Sequence, residues 1–302
     1  MTDTAEATRC GFVAVIGAPN AGKSTLVNRM VGTKVSIVSH KVQTTRAMVR
    51  GIAMAEAAQI VLVDTPGIFA PRRRLDRAMV DTAWSGAEDA DVIALLVDAA
   101  RGMVPEVAAL VERLASLKRR KILVLNKIDL VKPEALLALT AELNAAVTFD
   151  ETFMVSATTG DGVGALVTWL AAAMPEGPWL YPEDEVSDVP LRQLAAEITR
   201  EKLFERLHQE LPYQTTVETE QWQEQKDGSV RVEQTIYVTR DSQKKIVIGK
   251  GGQAIKGISV AARREIGEIV ERPVHLFLFV KVRENWTDDP ERYRAMGIDF
   301  PR

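Results

Sequence analysis

The chain has 302 residues, a formal net charge of −3, and 46% hydrophobic against 26% charged residues. That composition excludes a disordered or fibrous protein, and no apolar run approaches the roughly 18 residues of a membrane span. The length leads us to expect two domains, and Cys10, the single cysteine, leaves no internal disulfide and no thiolate metal cluster.

Residues 1–9 are polar and carry no apolar signal-peptide core, so the expectation is a cytoplasmic protein. A strand is expected over 12–16, Phe12-Val13-Ala14-Val15-Ile16. The loop Gly17-Ala18-Pro19-Asn20-Ala21-Gly22-Lys23-Ser24-Thr25 follows it, and an amphipathic helix begins at Leu26. Strand, GxxxxGK[ST] loop and helix in this order make a phosphate-binding loop. The glycines let successive backbone N–H groups turn toward an anion, and the helix N-terminus adds partial positive charge. Lys23 is placed to reach the β- and γ-phosphates, and the Ser24 hydroxyl to bind Mg²⁺.

Further strands are expected at 47–53, 59–63, 91–97, 121–125 and 152–155, with helices at 105–117, 133–146 and 162–173. Apolar strands alternating with helices give an α/β fold, a mainly parallel sheet covered on both faces. Ligands of such sheets bind at the carboxyl ends of the strands, and each remaining polar motif of this region falls there. Asp64-Thr65-Pro66-Gly67 follows the third strand: Asp64 is placed to support the metal opposite Ser24, and Gly67 to bring backbone close to a γ-phosphate. Asn126-Lys127-Ile128-Asp129 follows the fifth. A carboxylate at Asp129 accepts from guanine N1–H and the 2-amino group, neither of which adenine offers. The Lys127 stem covers a base, Asn126 ties its loop to the phosphate loop, and Ser156-Ala157 can offer a backbone N–H to guanine O6.

These four motifs, in order, resemble the GTPase domain of translation-factor type, over about residues 10–175. The resemblance makes 33–46 switch I and 64–86 switch II. Within Gln43-Thr44-Thr45-Arg46 it assigns the Mg²⁺-binding threonine to Thr45 ahead of Thr44. The implied site residues for phosphate transfer are Lys23, Thr45, Gly67 and Asn20. Where Ras-like proteins carry a water-orienting glutamine this chain has Ile68, which cannot orient a water, so slow intrinsic hydrolysis is expected. In related bacterial GTPases the asparagine matching Asn20 helps hold K⁺ near the phosphates, which makes K⁺ a candidate cofactor beside GTP/GDP and Mg²⁺.

Residues 174–190 contain four prolines, one glycine and five acids with no regular period, and read as a linker. Beyond it a helix is expected over 191–210, two strands over 213–225 and 230–239 joined at Lys226-Asp227-Gly228-Ser229, a helix running to about 269 with Ile255, Ile258, Ala262, Ile266 and Ile269 on one face, and a last strand over 273–283. Ile246 and Ile248 read as core. Gly249-Lys250-Gly251-Gly252 sits inside a basic stretch, Arg240, Lys244, Lys245, Lys250, Lys256, Arg263 and Arg264 against one acid, Asp241. The order α-β-β-α-GxxG-α-β resembles a KH domain of type II, α+β, whose GxxG loop clamps the backbone of about four nucleotides. The expected domains are 1–175 (GTPase), 176–190 (linker) and 191–302 (KH), with Gly249, Lys250, Gly251, Gly252, Lys244, Lys245, Lys256 and Arg263 binding RNA.

A GTPase domain followed by one KH domain resembles the Era-type ribosome-assembly GTPases. That resemblance implies GTP hydrolysis, binding to the 3′ end of 16S rRNA on the maturing small ribosomal subunit, and peripheral association with the inner face of the cell membrane, the last without support in the composition. It implies no DNA partner. A P-loop kinase or ATPase is disfavoured by Asn126-Lys127-x-Asp129, and a tandem GTPase by the lack of a second GxxxxGK[ST]. Ile68 keeps open an RNA-binding assembly chaperone in which nucleotide is a structural ligand.

Overall fold

The computed structural model describes residues 7–41, 44–71, 73–208, 211–284, 286, 289–295 and 298–300. The chain divides into two compact units, 1–36 with 45–188 and 296–302, and 37–44 with 189–295. Residues 37–44 lie inside the stretch expected to be GTPase, yet they group with the second unit.

In the first unit, β1 (Arg9–Gly17), β2 (Val49–Ala55), β3 (Ala58–Asp64), β4 (Val92–Asp98), β5 (Arg120–Asn126) and β6 (Glu151–Val155) form one sheet in the order β2-β3-β1-β4-β5-β6. Every pairing is parallel except β2 with β3. Continuous apolar runs such as Val92–Val97 are buried on both faces, as a sheet covered by helices demands. One face packs α2 (Arg74–Asp89), α3 (Pro105–Ser116) and α4 (Pro133–Ala146) through Trp84, Leu110 and Leu139. The other packs α1 (Lys23–Val31) and α5 (Val163–Ala173) through Leu26, Val27 and Leu166. α3 and α4 each start with proline at the first helical position, where the missing N–H has no partner to lose.

In the sheet β1 is flanked by β3 on one side and β4 on the other, so the connections after β1 and β3 turn to opposite sides. The loop after β1 therefore opens into the crevice where such sheets bind ligands. The proline-rich stretch before residue 189 is tied to the sheet edge. The Ile52 N–H donates to Val186 O at 2.9 Å, Trp179 Nε1 to Ala57 O at 3.1 Å, and Gln59 Oε1 accepts from the N–H groups of Leu180 and Tyr181.

The second unit contains α6 (Leu191–Arg206), β7 (Thr216–Glu224), β8 (Val230–Val238), α7 (Asp241–Ile248), α8 (Gln253–Val270), β9 (Val274–Val282) and α9 (Pro290–Ala295). Its sheet runs β7-β8-β9, antiparallel then parallel. Val232 and Ile236 of β8 pack under Ile198 and Leu203 of α6 and Ile258 and Ile266 of α8. Asp227 closes the β7–β8 hairpin by accepting from Ser229 N–H and Oγ. Of the two isoleucines read as core, Ile246 is 57% exposed and Ile248 half-buried. Helical periodicity turns Val247 inward instead, fully buried against the sheet. No helix among the described residues is long and apolar enough to cross a membrane.

Candidate nucleotide and nucleic-acid sites

The phosphate loop runs from Gly17 to the first turn of α1. Asn20 (φ 64°) and Gly22 (φ 99°) are left-handed, so successive N–H groups turn to one side. At Gly17 a Cβ would stand 2.4 Å from Leu96 O, and at Gly22 2.3 Å from Asn126 Nδ2, so a side chain at either position forces loops apart. Lys23 is buried, and its ammonium donates to Gly17 O at 3.2 Å and Ala18 O at 3.1 Å. Desolvation pushes its pKa down to about 8, against a partial restoring pull from Asp64.

Asp64, at the end of β3, is fully buried and collects hydroxyls on Oδ2: Ser24 at 2.6 Å, Ser36 at 2.6 Å and Thr45 at 3.4 Å. The Thr45 hydroxyl also stands 2.9 Å from Ser24 Oγ. Thr44, by contrast, donates its hydroxyl to Lys41 O. Burial raises the Asp64 pKa, with the hydroxyls and Lys23 opposing, and its Oδ1 is buried with no hydrogen-bond partner. An oxygen-only donor set around one carboxylate with a spare buried oxygen suits a hard divalent cation such as Mg²⁺. Among the described residues no cluster of three or more His, Cys, Asp or Glu side chains offers another metal site.

Gly67 packs against the phosphate loop, a Cβ there lying 3.0 Å from Pro19 Cα, and the next N–H, of Ile68, donates to Gly17 O at 3.1 Å. The Ile68 side chain is buried in the same core cluster as Trp84. Val42 and Gln43 of switch I and Arg72 of switch II lie outside the described residues.

At the base end of the crevice, Asn126 Nδ2 donates to Ala21 O at 2.8 Å, and Asn126 Oδ1 accepts the Ala157 N–H at 3.0 Å. The Ala157 donor offered to guanine O6 is thus engaged by Asn126, and the Ser156 N–H donates to Asp161 O. Lys127 is left-handed (φ 66°) and sends its ammonium to Asn20 O at 2.9 Å and Asp98 Oδ2 at 2.6 Å. Asp129 is exposed on the turn that follows, Ile128–Leu130.

Sequence reasoning missed four supports. Asp98 at the end of β4 holds Lys127; an acid at a strand end, like Asp64, was the available signal. Ser36 shares Asp64, while Asn28 Oδ1 accepts the N–H groups of Val35 and Ser36 and its Nδ2 donates to Ser36 O. Arg29 donates to Ala157 O at 3.1 Å and to Thr158 O, securing the base loop to α1. No local pattern announced Asn28, Ser36 or Arg29.

In the second unit, α7 and α8 meet at Gly249-Lys250-Gly251-Gly252. All three glycines have positive φ (74°, 59° and 77°). A Cβ on Gly249 would clash at 2.6 Å with Ala254 Cβ, whereas Gly251 and Gly252 face open space. Backbone at those two positions is therefore accessible to a close-approaching strand of phosphates. Lys245, Lys250, Lys256 and Arg263 are exposed, and Lys244 is half-buried. Val247 is buried in one apolar cluster with the partly buried Ile255, Leu278 and Val280.

Residues 12–127 match the family described as 50S ribosome-binding GTPase, and residues 210–287 match the KH domain family. GTPase Era of Rhizobium meliloti (strain 1021) is 67% identical over 309 residues, spanning 100% of this chain and 99% of the relative. GTPase Era of Agrobacterium fabrum is 67% identical over 300 residues, spanning 99% of this chain and 95% of the relative. Among solved structures, Era in complex with MgGDPNP and nucleotides 1506–1542 of 16S ribosomal RNA superposes with a TM-score of 0.90 at 39% identity, covering 96% of this chain and 99% of that one. A single-residue variant of Aquifex aeolicus Era bound to GDP·AlF4⁻ gives 0.91 at 38% identity, with the same coverage.

Proposed function

This chain belongs to the Era family of GTPases, and from that premise we propose that it binds the 3′ end of 16S rRNA and serves in maturation of the small ribosomal subunit. It hydrolyses GTP to GDP and phosphate. The observation that carries the reading is the pairing, in one chain, of the Lys23–Ser24–Thr45–Asp64 cluster with the open glycine backbone at 251–252.

The chemistry follows from the residues. Loop N–H groups of Asn20, Gly22, Lys23 and Ser24 and the Lys23 ammonium gather the β- and γ-phosphates, the ammonium exchanging the Gly17 and Ala18 carbonyls for phosphate oxygens. Ser24 and Thr45 hold Mg²⁺ with Asp64 behind them, and Mg²⁺ there neutralises charge on the phosphate oxygens. Gly67, with no side chain, lets the turn after Asp64 pack closely against Pro19 of the phosphate loop. Asn126 and Lys127 brace the base pocket, and Asp129 reads the guanine edge. Ile68 donates no side-chain hydrogen bond to an attacking water, so positioning and charge stabilisation carry the reaction and the intrinsic rate is slow.

The KH unit takes single-stranded RNA across Gly251 and Gly252, with Lys250, Lys245, Lys256 and Arg263 neutralising phosphates. The protein works in the cytoplasm, with peripheral contact at the inner membrane face as a secondary location. We propose 1–175 as the GTPase domain, 176–190 as the linker and 191–302 as the KH domain, although by packing 37–44 group with the second unit and 176–188 and 296–302 with the first. Buried Ile68 favours one second reading, an RNA chaperone that uses GTP as a structural ligand.

Crosslinking of RNA to the protein in cells, with the native chain and a Lys23→Ala chain, tests the proposal. Enrichment of the 16S 3′ end, lost together with subunit maturation in the variant, is expected. Crosslinks spread over unrelated RNAs would sink the assignment, and maturation that survives Lys23→Ala would favour the chaperone.

A further inference from the structure

We infer that Arg200, on α6 of the second unit, is a positioning residue for GTP hydrolysis, acting through Thr45; the inference rests on Thr45 as a Mg²⁺ ligand. The chain leaves the second unit at Thr44 and enters the first at Thr45. Thr45 Oγ1 stands with Ser24 and Asp64. The carbonyl immediately before it, Thr44 O, accepts from Arg200 Nη2 at 2.5 Å.

Arg200 is 1% exposed, an unusual place for a guanidinium in a small RNA-binding unit. Glu197 one turn earlier orients it, accepting from Nε at 2.9 Å and from Nη2, and the guanidinium lies 5.2 Å from the Phe204 ring centroid. The remaining nitrogen, Nη1, is buried and makes no hydrogen bond. A buried donor without an acceptor is costly, and here it stands beside the segment that leads into Thr45. It gives Arg200 spare capacity to hold that segment in more than one arrangement.

Three further anchors lay the same segment along α6. Ile37 is buried against Leu194, Ala195 and Ile198. The Val38 N–H donates to Glu201 Oε1 at 2.7 Å, and Glu201 is itself 2% exposed. The Lys41 ammonium donates to Phe204 O and Leu207 O, the carbonyls left open at the helix C-terminus, where positive charge is favoured. Of these anchors, Arg200 holds the residue next to Thr45 in the chain. Its hold on Thr44 O fixes the approach of Thr45, as groups behind metal ligands fix the ligands themselves.

The full chain, native and as Arg200→Gln, Arg200→Lys and Glu197→Gln, is titrated with fluorescent GDP and a non-hydrolysable fluorescent GTP analogue across a Mg²⁺ series. Single-turnover hydrolysis is followed in parallel. In Arg200→Gln the Mg²⁺ midpoint for analogue binding rises about tenfold, the usual effect of losing a group that orients a metal ligand. Arg200→Lys recovers part of the shift, and Glu197→Gln, at a half-exposed position, moves it the same way. GDP affinity holds in all three. An unchanged midpoint in variants that unfold at the native temperature overturns the inference, as does a parallel loss of GDP and analogue affinity with a lowered Tm. A native chain that binds the analogue yet never turns over GTP would end the hydrolysis reading, and the midpoint shift would still decide Arg200.

Discussion

Asn126 Nδ2 donates to the carbonyl oxygen of Ala21 at 2.8 Å, joining the base loop to the phosphate loop across 105 residues of sequence. With its Oδ1 on the Ala157 N–H, one amide bridges three loops that come from three different strand ends. Asn126→Ala leaves two buried backbone groups unpaired, each worth about 1–3 kcal/mol. GTP and GDP affinities should fall by similar factors, because neither loop touches the γ-phosphate alone. Titration with fluorescent GDP and GTP reads this; a loss confined to GTP would contradict the bridging role.

Asp129 belongs to the same corner but does a different job. Its carboxylate is exposed and makes no contact that holds the loop together, so Asp129→Asn should fold normally. Converting an acceptor to a donor matches xanthine, which carries a carbonyl where guanine carries its 2-amino group. Preference should move from GTP to XTP by about a hundredfold or more, the scale of mismatches at buried polar sites. Competition between the two nucleotides measures it, and unchanged GTP preference would remove guanine recognition from Asp129.

Most of the nucleotide site was legible because its residues are local: a strand, a tight turn and the start of a helix fit within Phe12–Leu26, and the Asp64 and Asn126 motifs follow strands that announce themselves by apolar runs. The same holds for Gly249–Gly252, whose glycines stand out in a basic stretch. What escaped depends on contacts set by how the chain folds back, with no local pattern to announce them. Asn28 with Ser36 is a contact decided by how the α1 exit turns, and Arg200 with Thr44 spans 156 residues. Neither position carries a residue type unusual for a helix or loop. Ile246 was misread because apolar composition was weighed without the helical phase that turns Val247 inward.

Lys23 makes function and stability oppose each other. Its folded pKa, about 8, lies below the unfolded value of 10.5. The unfolded chain therefore binds the proton more firmly between those values, so stability of the nucleotide-free protein rises with pH through that window, and the burial penalty is fully present below it. Lys23→Met should abolish GTP binding, stabilise the nucleotide-free chain at neutral pH by about 1–2 kcal/mol, and flatten the rise toward pH 10. Thermal unfolding from pH 7 to pH 10 checks both; a variant less stable than the native chain at pH 7 would show that the loop carbonyls compensate the buried charge fully.

The two sites should separate by mutation. Gly251 faces open space and Lys250 is exposed, so aspartates at both disturb no core contact. They place two negative charges where phosphates must approach and a side chain where backbone must. Binding of a 16S 3′-end oligonucleotide should be lost, with GTP affinity unchanged. The native chain's RNA affinity should fall with added salt in proportion to the phosphates neutralised. RNA held as tightly as before by the Lys250→Asp, Gly251→Asp chain would place the interface elsewhere.

Hydrolysis must manage without a polar residue after Gly67, because Ile68 is committed to the core and its N–H to Gly17 O. We propose that the side chain of Asn20, in the phosphate loop, substitutes through a monovalent cation rather than a water. Its left-handed conformation turns the loop toward the crevice, and its carbonyl is pinned by the Lys127 ammonium, so the position is held from behind. Replacing Na⁺ with K⁺ at equal ionic strength should raise the single-turnover rate about tenfold, or about 1.4 kcal/mol off the barrier. Asn20→Ala should keep the slow Na⁺ rate and lose the K⁺ gain, which separates a cation role from damage to the loop. Equal rates in the two salts would leave Asn20 as loop geometry alone and return the burden of catalysis to Lys23 and the Thr45–Asp64 cluster.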